Sequence, residues 1–115
     1  MDLLRAVPIL TVLDVPAAVR EYSEVLGLDV LMNLGWVATL GTQGGAQFSV
    51  MDIDQSAPCN PEMSVEVPDV DDAYRRVLDS GAEIVHPIRD EAWGVRRFFV
   101  RTRAGHVVNV LSHPG

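Results

Sequence analysis

The chain contains an internal repeat. Val12-Leu13-Asp14-Val15 returns as Val67-Pro68-Asp69-Val70, at an offset of 55 residues. In the same register Ala18 meets Ala73 and Arg20 meets Arg75, while Gly27 meets Gly81 one residue short. The surrounding pattern repeats as well. Val7 to Leu13 is an apolar, β-branched run that reads as a strand. Asp14 then serves as a helix N-cap, with Pro16 in the first turn. Ala18, Val19, Tyr22, Val25 and Leu26 recur at helical spacing before Gly27 ends the helix. Three short strands follow, over Leu28–Met32, Trp36–Leu40 and Ala46–Asp52, parted by Asn33-Leu34-Gly35 and by the turn from Gly41 to Gly45.

After a linker from Asp54 to Pro61 the order starts again. Met63–Val67 is a strand, Asp69 a cap, and Val70, Ala73, Tyr74, Val77 and Leu78 form a helical face stopped by Gly81. Ile84–Ile88, Arg96–Thr102 and His106–Leu111 are three more strands. The expectation is therefore an α+β fold of two βαβββ modules, about 1–54 and 61–115, packed edge to edge around a cleft. With 115 residues in all, each module is too short to bury a good core alone, so residues 1–115 are expected to act as a single domain. Clefts of this type are the default place for a ligand.

Charge narrows the partners. Nine basic and sixteen acidic residues give a net charge of −7. Phosphate backbones and anionic membrane surfaces both require a positive protein face, so neither nucleic acid nor membrane is expected as a partner. The charge is also uneven. Residues 1–74 hold twelve acids and two arginines, whereas residues 75–115 hold four acids and seven arginines. The single Cys59, in the turn-rich stretch Ala57 to Pro61, excludes an internal disulfide and a cysteine-rich zinc site. No basic start leads into an apolar signal region, and no apolar run approaches the ~20 residues of a membrane span. A cytoplasmic, reducing setting is expected.

The sequence resembles the glyoxalase / bleomycin resistance / extradiol dioxygenase superfamily, the vicinal oxygen chelate proteins. The stretch from Ala6 to Tyr22, ending Val25-Leu26-Gly27, is similar to the opening of bleomycin resistance proteins. Ala92-Trp93-Gly94-Val95-Arg96 followed by Phe98-Phe99-Val100-Arg101 resembles that family's Trp-Gly-x-Arg strand entry, and Gly105-His106-Val107-Val108-Asn109 its last strand. Enzymes of the superfamily carry His or Glu as metal ligands at four inward positions, on the first, fourth, fifth and eighth strands. The matching positions here are Val7, Gln47, Met63 and Asn109. A valine, a methionine and two neutral amides cannot hold a divalent cation against water, because zinc and its neighbours want imidazole, thiolate or carboxylate. No metal and no cofactor are expected.

The inward positions then line a pocket, with Val7, Ile9, Thr11, Gln47, Ser49, Met51, Met63, Val65, Asn109 and Leu111 as its walls. Trp93 and Trp36 are candidate stacking walls for a planar aromatic ligand, and a cationic ligand would add cation–π attraction. Glu62, Glu66, Asp52 and Asp54 are candidates for drawing such a cation in. Arg96 matches the Trp-Gly-x-Arg position and is a candidate for orienting a ligand or a carboxylate of the other module. The ligand-binding set expected from the sequence is thus Trp36, Gln47, Ser49, Met51, Met63, Trp93, Arg96 and Asn109, with no catalytic residue. The resemblance implies a homodimeric small-molecule binder that confers resistance by sequestering an antibiotic-like compound. The alternative is a superfamily enzyme, a lyase or dioxygenase, with an atypical or metal-dependent site.

Overall fold

A computed structural model describes residues 1–114. Among them are eight strands and two helices, and the βαβββ order appears twice. In the first repeat these are β1 (Arg5–Thr11), α1 (Val15–Val25), β2 (Asp29–Asn33), β3 (Val37–Gly41) and β4 (Gln47–Met51). In the second they are β5 (Met63–Glu66), α2 (Val70–Ser80), β6 (Glu83–Asp90), β7 (Arg96–Arg101) and β8 (Val107–Ser112). Each strand and helix read from the sequence is present, with ends displaced by one or two residues. The chain divides into two compact units, Val7–Asn60 and Met1–Ala6 with Pro61–Gly115.

The two units are built alike. In the first, the strand order is β2-β3-β4-β1, antiparallel up to β4 and parallel between β4 and β1, where Ile9 meets Ser49. In the second, the order is β6-β7-β8-β5, and Ser64 meets Asn109 across the parallel pair. Both helices start on an aspartate whose side chain accepts a backbone N–H three residues on, Asp14 from Ala17 and Asp69 from Asp72, each at 3.0 Å. This satisfies one of the otherwise unpaired amides of the first turn. Helix α2 stops at Gly81, whose φ of 77° only glycine adopts at no steric cost. In the β3–β4 turn Gly41 is required for space as well, since a Cβ there would lie 2.3 Å from the Ala46 carbonyl oxygen.

Helix α1 packs on β2, β3 and β4 of its unit, and α2 on β6, β7 and β8, with Val65 of β5 joining the α2 core. The core between α1 and its strands holds Val15, Ala38, Leu40 and Val50, with Val12, Ala18, Val19, Tyr22, Leu28 and Phe48 packed around them. The core between α2 and its strands holds Val67, Val70, Ala73, Phe98 and Val110, joined by Val65, Tyr74, Val77, Ile84, Ile88, Val100 and Val108. Both cores place a helix tyrosine edge-on to a sheet phenylalanine at 4.9 Å, Tyr22 to Phe48 and Tyr74 to Phe98. Because strand side chains alternate, the residues between these core positions point to the opposite face, which no helix covers. The candidate site residues divide between these two faces.

Candidate functional site

In the first unit, the helix-free face carries Val7 and Ile9 from β1, Thr39 from β3, and Gln47, Ser49 and Met51 from β4. Val7, Thr39, Ser49 and Met51 are buried, and Gln47 is half-buried. The hydroxyls of Thr39 and Ser49, paired across the strands, lie 2.8 Å apart and share one hydrogen bond. This face holds no ionisable side chain among these six positions. The sequence-derived grouping of Gln47, Ser49 and Met51 on one side of β4 thus corresponds to the observed geometry. Trp36 was expected within a strand. It lies instead in the bend before β3, half-buried, where its carbonyl accepts the Asp52 N–H at 2.8 Å.

In the second unit, Asn109 stands on the helix-free face of β8, only 6% exposed. Its amide nitrogen donates to Ser64 Oγ at 3.0 Å, while its buried Oδ1 has no hydrogen-bond partner. Ser64, not Met63, is the β5 residue opposite Asn109. Met63 and Val65 pair with Val108 and Val110, and Val65, Val108 and Val110 pack in the α2 core. Met63 and Val65 are therefore corrected to the helix side, and Ser64 and Glu66 take the face assigned to them from the sequence.

Arg96 is also corrected. Its guanidinium binds the Asp71 carboxylate through two nitrogens, with the shortest contact 2.9 Å, and reaches Asp90 at 3.4 Å. Asp71 is in the first turn of α2, so Arg96 ties the helix to the β6–β7 hairpin of its own module. That hydrogen bond holds the Asp71 carboxyl below the ordinary aspartate range and raises Arg96 further. Two of the four acids expected to attract a cation are engaged too. Glu62 lies 2.7 Å from His106, a hydrogen bond that lowers its pKa, and Glu66 lies 2.9 Å from His113 and 3.8 Å from Arg5.

A buried polar cluster at the β6–β7 hairpin carries no signature in the sequence. Glu91, whose side chain is 2% exposed, places Oε1 3.3 Å from His86 Nε2, 3.0 Å from Arg89 Nε and 3.4 Å from Arg97 Nε. The Arg97 guanidinium sits between two rings, its carbon 4.9 Å from the centroids of both Trp93 and Phe99. His86 meets Phe99 edge-on at 5.0 Å. Trp93 occupies the β6–β7 turn, as expected, and is 43% exposed. One cation already lies against its ring, which weakens the expectation that this indole would attract a cationic ligand.

The donor set for a metal does not fit. Val7 and Gln47 in the first unit, and Ser64 and Asn109 in the second, offer no imidazole, thiolate or carboxylate. Among the described residues no group of three or more His, Cys, Asp or Glu side chains could hold a metal ion. None of the helices among the described residues is long and apolar enough to cross a membrane.

Known proteins with this architecture are numerous. A superfamily member from Vibrio splendidus 12B01, called a glyoxalase/bleomycin resistance protein/dioxygenase, superposes with a TM-score of 0.73 at 19% identity, over 96% of this chain and 99% of its own. Methylmalonyl-CoA epimerase from Mycobacterium tuberculosis gives 0.72 at 20% identity, over 94% and 86%. The Streptomyces coelicolor epimerase in complex with 2-nitronate-propionyl-CoA gives 0.73 at 16%, over 99% and 100%. At these identities the likeness establishes a common fold and nothing finer. No curated protein matches the chain. The family model for the Glyoxalase/Bleomycin resistance protein/Dioxygenase superfamily matches residues 4–110, and the chain belongs to that superfamily.

Proposed function

We propose that this superfamily member binds a small planar organic molecule stoichiometrically and without a metal ion. It would act by keeping that molecule from its target, in the manner of a bleomycin resistance protein, as a homodimer in the cytoplasm. The observation that carries this reading is Asn109. Its buried Oδ1 is an acceptor without a donor, on a sheet face no helix covers. An unsatisfied buried acceptor costs about 1–3 kcal/mol, which a ligand N–H or O–H would recover. Ser64 fixes the amide from one side, and Phe99 flanks it on β7. The hydroxyl pair Thr39–Ser49 and the amide of Gln47 add further neutral polar groups on the first unit's open face. An apolar wall with a few fixed polar groups is the usual make-up of a small-molecule site.

The test is a titration of tryptophan emission with bleomycin and with a planar carboxamide, naphthalene-2-carboxamide, on protein purified without chelator. Saturable, stoichiometric perturbation is expected from at least one titrant, weakened at least fivefold in Asn109→Leu. Indoles that respond to neither compound, or one tightly held nickel, zinc or iron ion per chain, would overturn the reading. The second of those outcomes would favour a metal-dependent enzyme of the superfamily.

A further inference from the structure

We infer that the parallel pairing of β5 with β8 is a pH-responsive clasp, held at both ends by histidine–glutamate contacts that tighten when the imidazoles are protonated. The clasp belongs to the chain without any ligand and is independent of the binding reading above. Strand β5 has four residues, the fewest of the eight strands among the described residues. A parallel ladder is also slightly less stable per residue than an antiparallel one. So short a pairing gains most from contacts at its ends, and it has one at each. Glu62 directly precedes β5 and His106 directly precedes β8, and Glu62 Oε2 lies 2.7 Å from His106 Nδ1. Glu66 is the last residue of β5 and His113 directly follows β8, and Glu66 Oε2 lies 2.9 Å from His113 Nδ1. The backbone continues the ladder at both points. The Glu62 N–H donates to the Val107 carbonyl and the Val67 N–H to that of Leu111, each at 2.9 Å.

The first repeat is the internal control. Its parallel pair, β1 with β4, has the same register, since Ile9 meets Ser49 where Ser64 meets Asn109. Ser64 stands 55 residues after Ile9, and Asn109 stands 60 after Ser49. By those offsets Glu62, Glu66, His106 and His113 fall on Val7, Thr11, Ala46 and Ile53. None of these four side chains ionises near neutral pH. Two pairings of one register therefore differ in whether their ends carry titratable groups.

An imidazolium–carboxylate pair needs a charged acid and a protonated ring. It is complete between the ordinary glutamate and histidine values, about 4.3 and about 6.5, and fades as pH rises above them. The hydrogen bond from His106 holds the Glu62 carboxyl below its ordinary range, which keeps that acid charged further into acid. Two arginines also face the clasps. Arg101 of β7, itself 3.2 Å from Glu83, acts on Glu62, and Arg5 of β1 lies 3.8 Å from Glu66. Both stay charged throughout, so around neutral pH only the imidazoles change charge. Both histidines are exposed, and the expected effect is correspondingly modest. Ser64 and Asn109 meet midway along the clasped pair, so mild acid steadies the strands that carry the buried acceptor.

The experiment is native-state amide hydrogen exchange on the full chain, read by NMR at pH 5.5 and pH 7.5 and corrected for intrinsic exchange. The quantity is the protection of the β5 and β8 amides divided by that of the β1 and β4 amides, so the first repeat cancels effects common to the whole chain. That ratio is expected to fall about two- to fivefold from pH 5.5 to pH 7.5, the scale of exposed ion pairs. In the double variant His106→Gln, His113→Gln it should be independent of pH and lie near the value the unmodified chain shows at pH 7.5. A ratio that does not change with pH in the unmodified chain would overturn the clasp, and that measurement needs no variant to fold. A fall that persists in the double variant would overturn it too, because it would then belong to His86, the one histidine left.

Discussion

The two repeats differ least where their helices lie and most where no helix lies. On the helix side each has an aspartate cap, a small-residue and valine stripe on the helix, and a tyrosine–phenylalanine contact. On the open side the first repeat has a neutral pair of hydroxyls, Thr39 and Ser49, and the second has Glu91 among His86, Arg89 and Arg97. The helix-side positions must exclude water to hold the fold, so only similar apolar residues fit there. The open faces are not bound by that requirement, and each has acquired its own chemistry. Members of one superfamily can therefore share this scaffold while differing in what they hold.

The comparison can be tested by disturbing each open face in turn. The largest effect is expected at Glu91. Glu91→Gln removes the buried negative charge that faces Arg97 and His86, and breaking a buried pair from one side costs about 3 kcal/mol or more. Urea unfolding should show a lower midpoint for this variant, and an unchanged midpoint would mean that the cluster does not contribute to stability. In the first repeat, Ser49→Ala leaves the Thr39 hydroxyl buried without its partner. About 1–2 kcal/mol is expected, and Thr39→Val in combination should restore part of it, because deleting both partners removes the unsatisfied group. Full additivity of the two substitutions would argue that the hydroxyls do not interact.

The caps should behave alike, since the repeats agree there. Asp14→Ala and Asp69→Ala are each expected to cost about 1 kcal/mol. A difference much beyond that scale would show that one helix relies on its cap more than the other. The smallest effect is the acid limb of Asp71. Its pKa is depressed in the folded state by the Arg96 hydrogen bond, so its stabilising contribution is present above the unfolded value of about 3.9 and is lost as pH falls through the lower folded value. Carbon-detected NMR titration should place the Asp71 carboxyl below that ordinary value in the native chain and return it toward the ordinary value in Arg96→Ala.

Much of this was legible from residues alone. The repeat, both caps and all eight strands follow from period and punctuation, because Asp14, Asp69, Gly27 and Gly81 do local work that does not depend on the rest of the fold. The face of β5 was misassigned although its alternation was present in the sequence. Met63-Ser64-Val65-Glu66 alternates apolar and polar residues, and that period by itself puts Met63 and Val65 toward the core. The resemblance to metal-binding relatives pointed the other way, and the local physical rule was the better guide. For Arg96 the sequence leaves open a ligand or a carboxylate of the other module, because the carboxylate that fixes it, Asp71 of its own module, lies 25 residues away on a helix. The Glu91 cluster was beyond sequence reasoning. It depends on two register shifts in β6, and a bulge that turns His86 and Glu91 toward each other leaves no mark in the pattern of residue types.

The parallel pairings that close each unit have a kinetic consequence. Within a unit the antiparallel strands are neighbours in sequence and can zip from their turns, but β1 must reach β4 and β5 must reach β8 across a helix and two further strands. Closing those long segments is entropically costly and comes without local help, so the first strand of each repeat is the last to dock. Weakening β1 or β5 should then leave the folding rate nearly unchanged and hasten unfolding. By this reasoning, the strands that begin each repeat govern how long the native state persists once formed, while the hairpins govern how quickly it is reached.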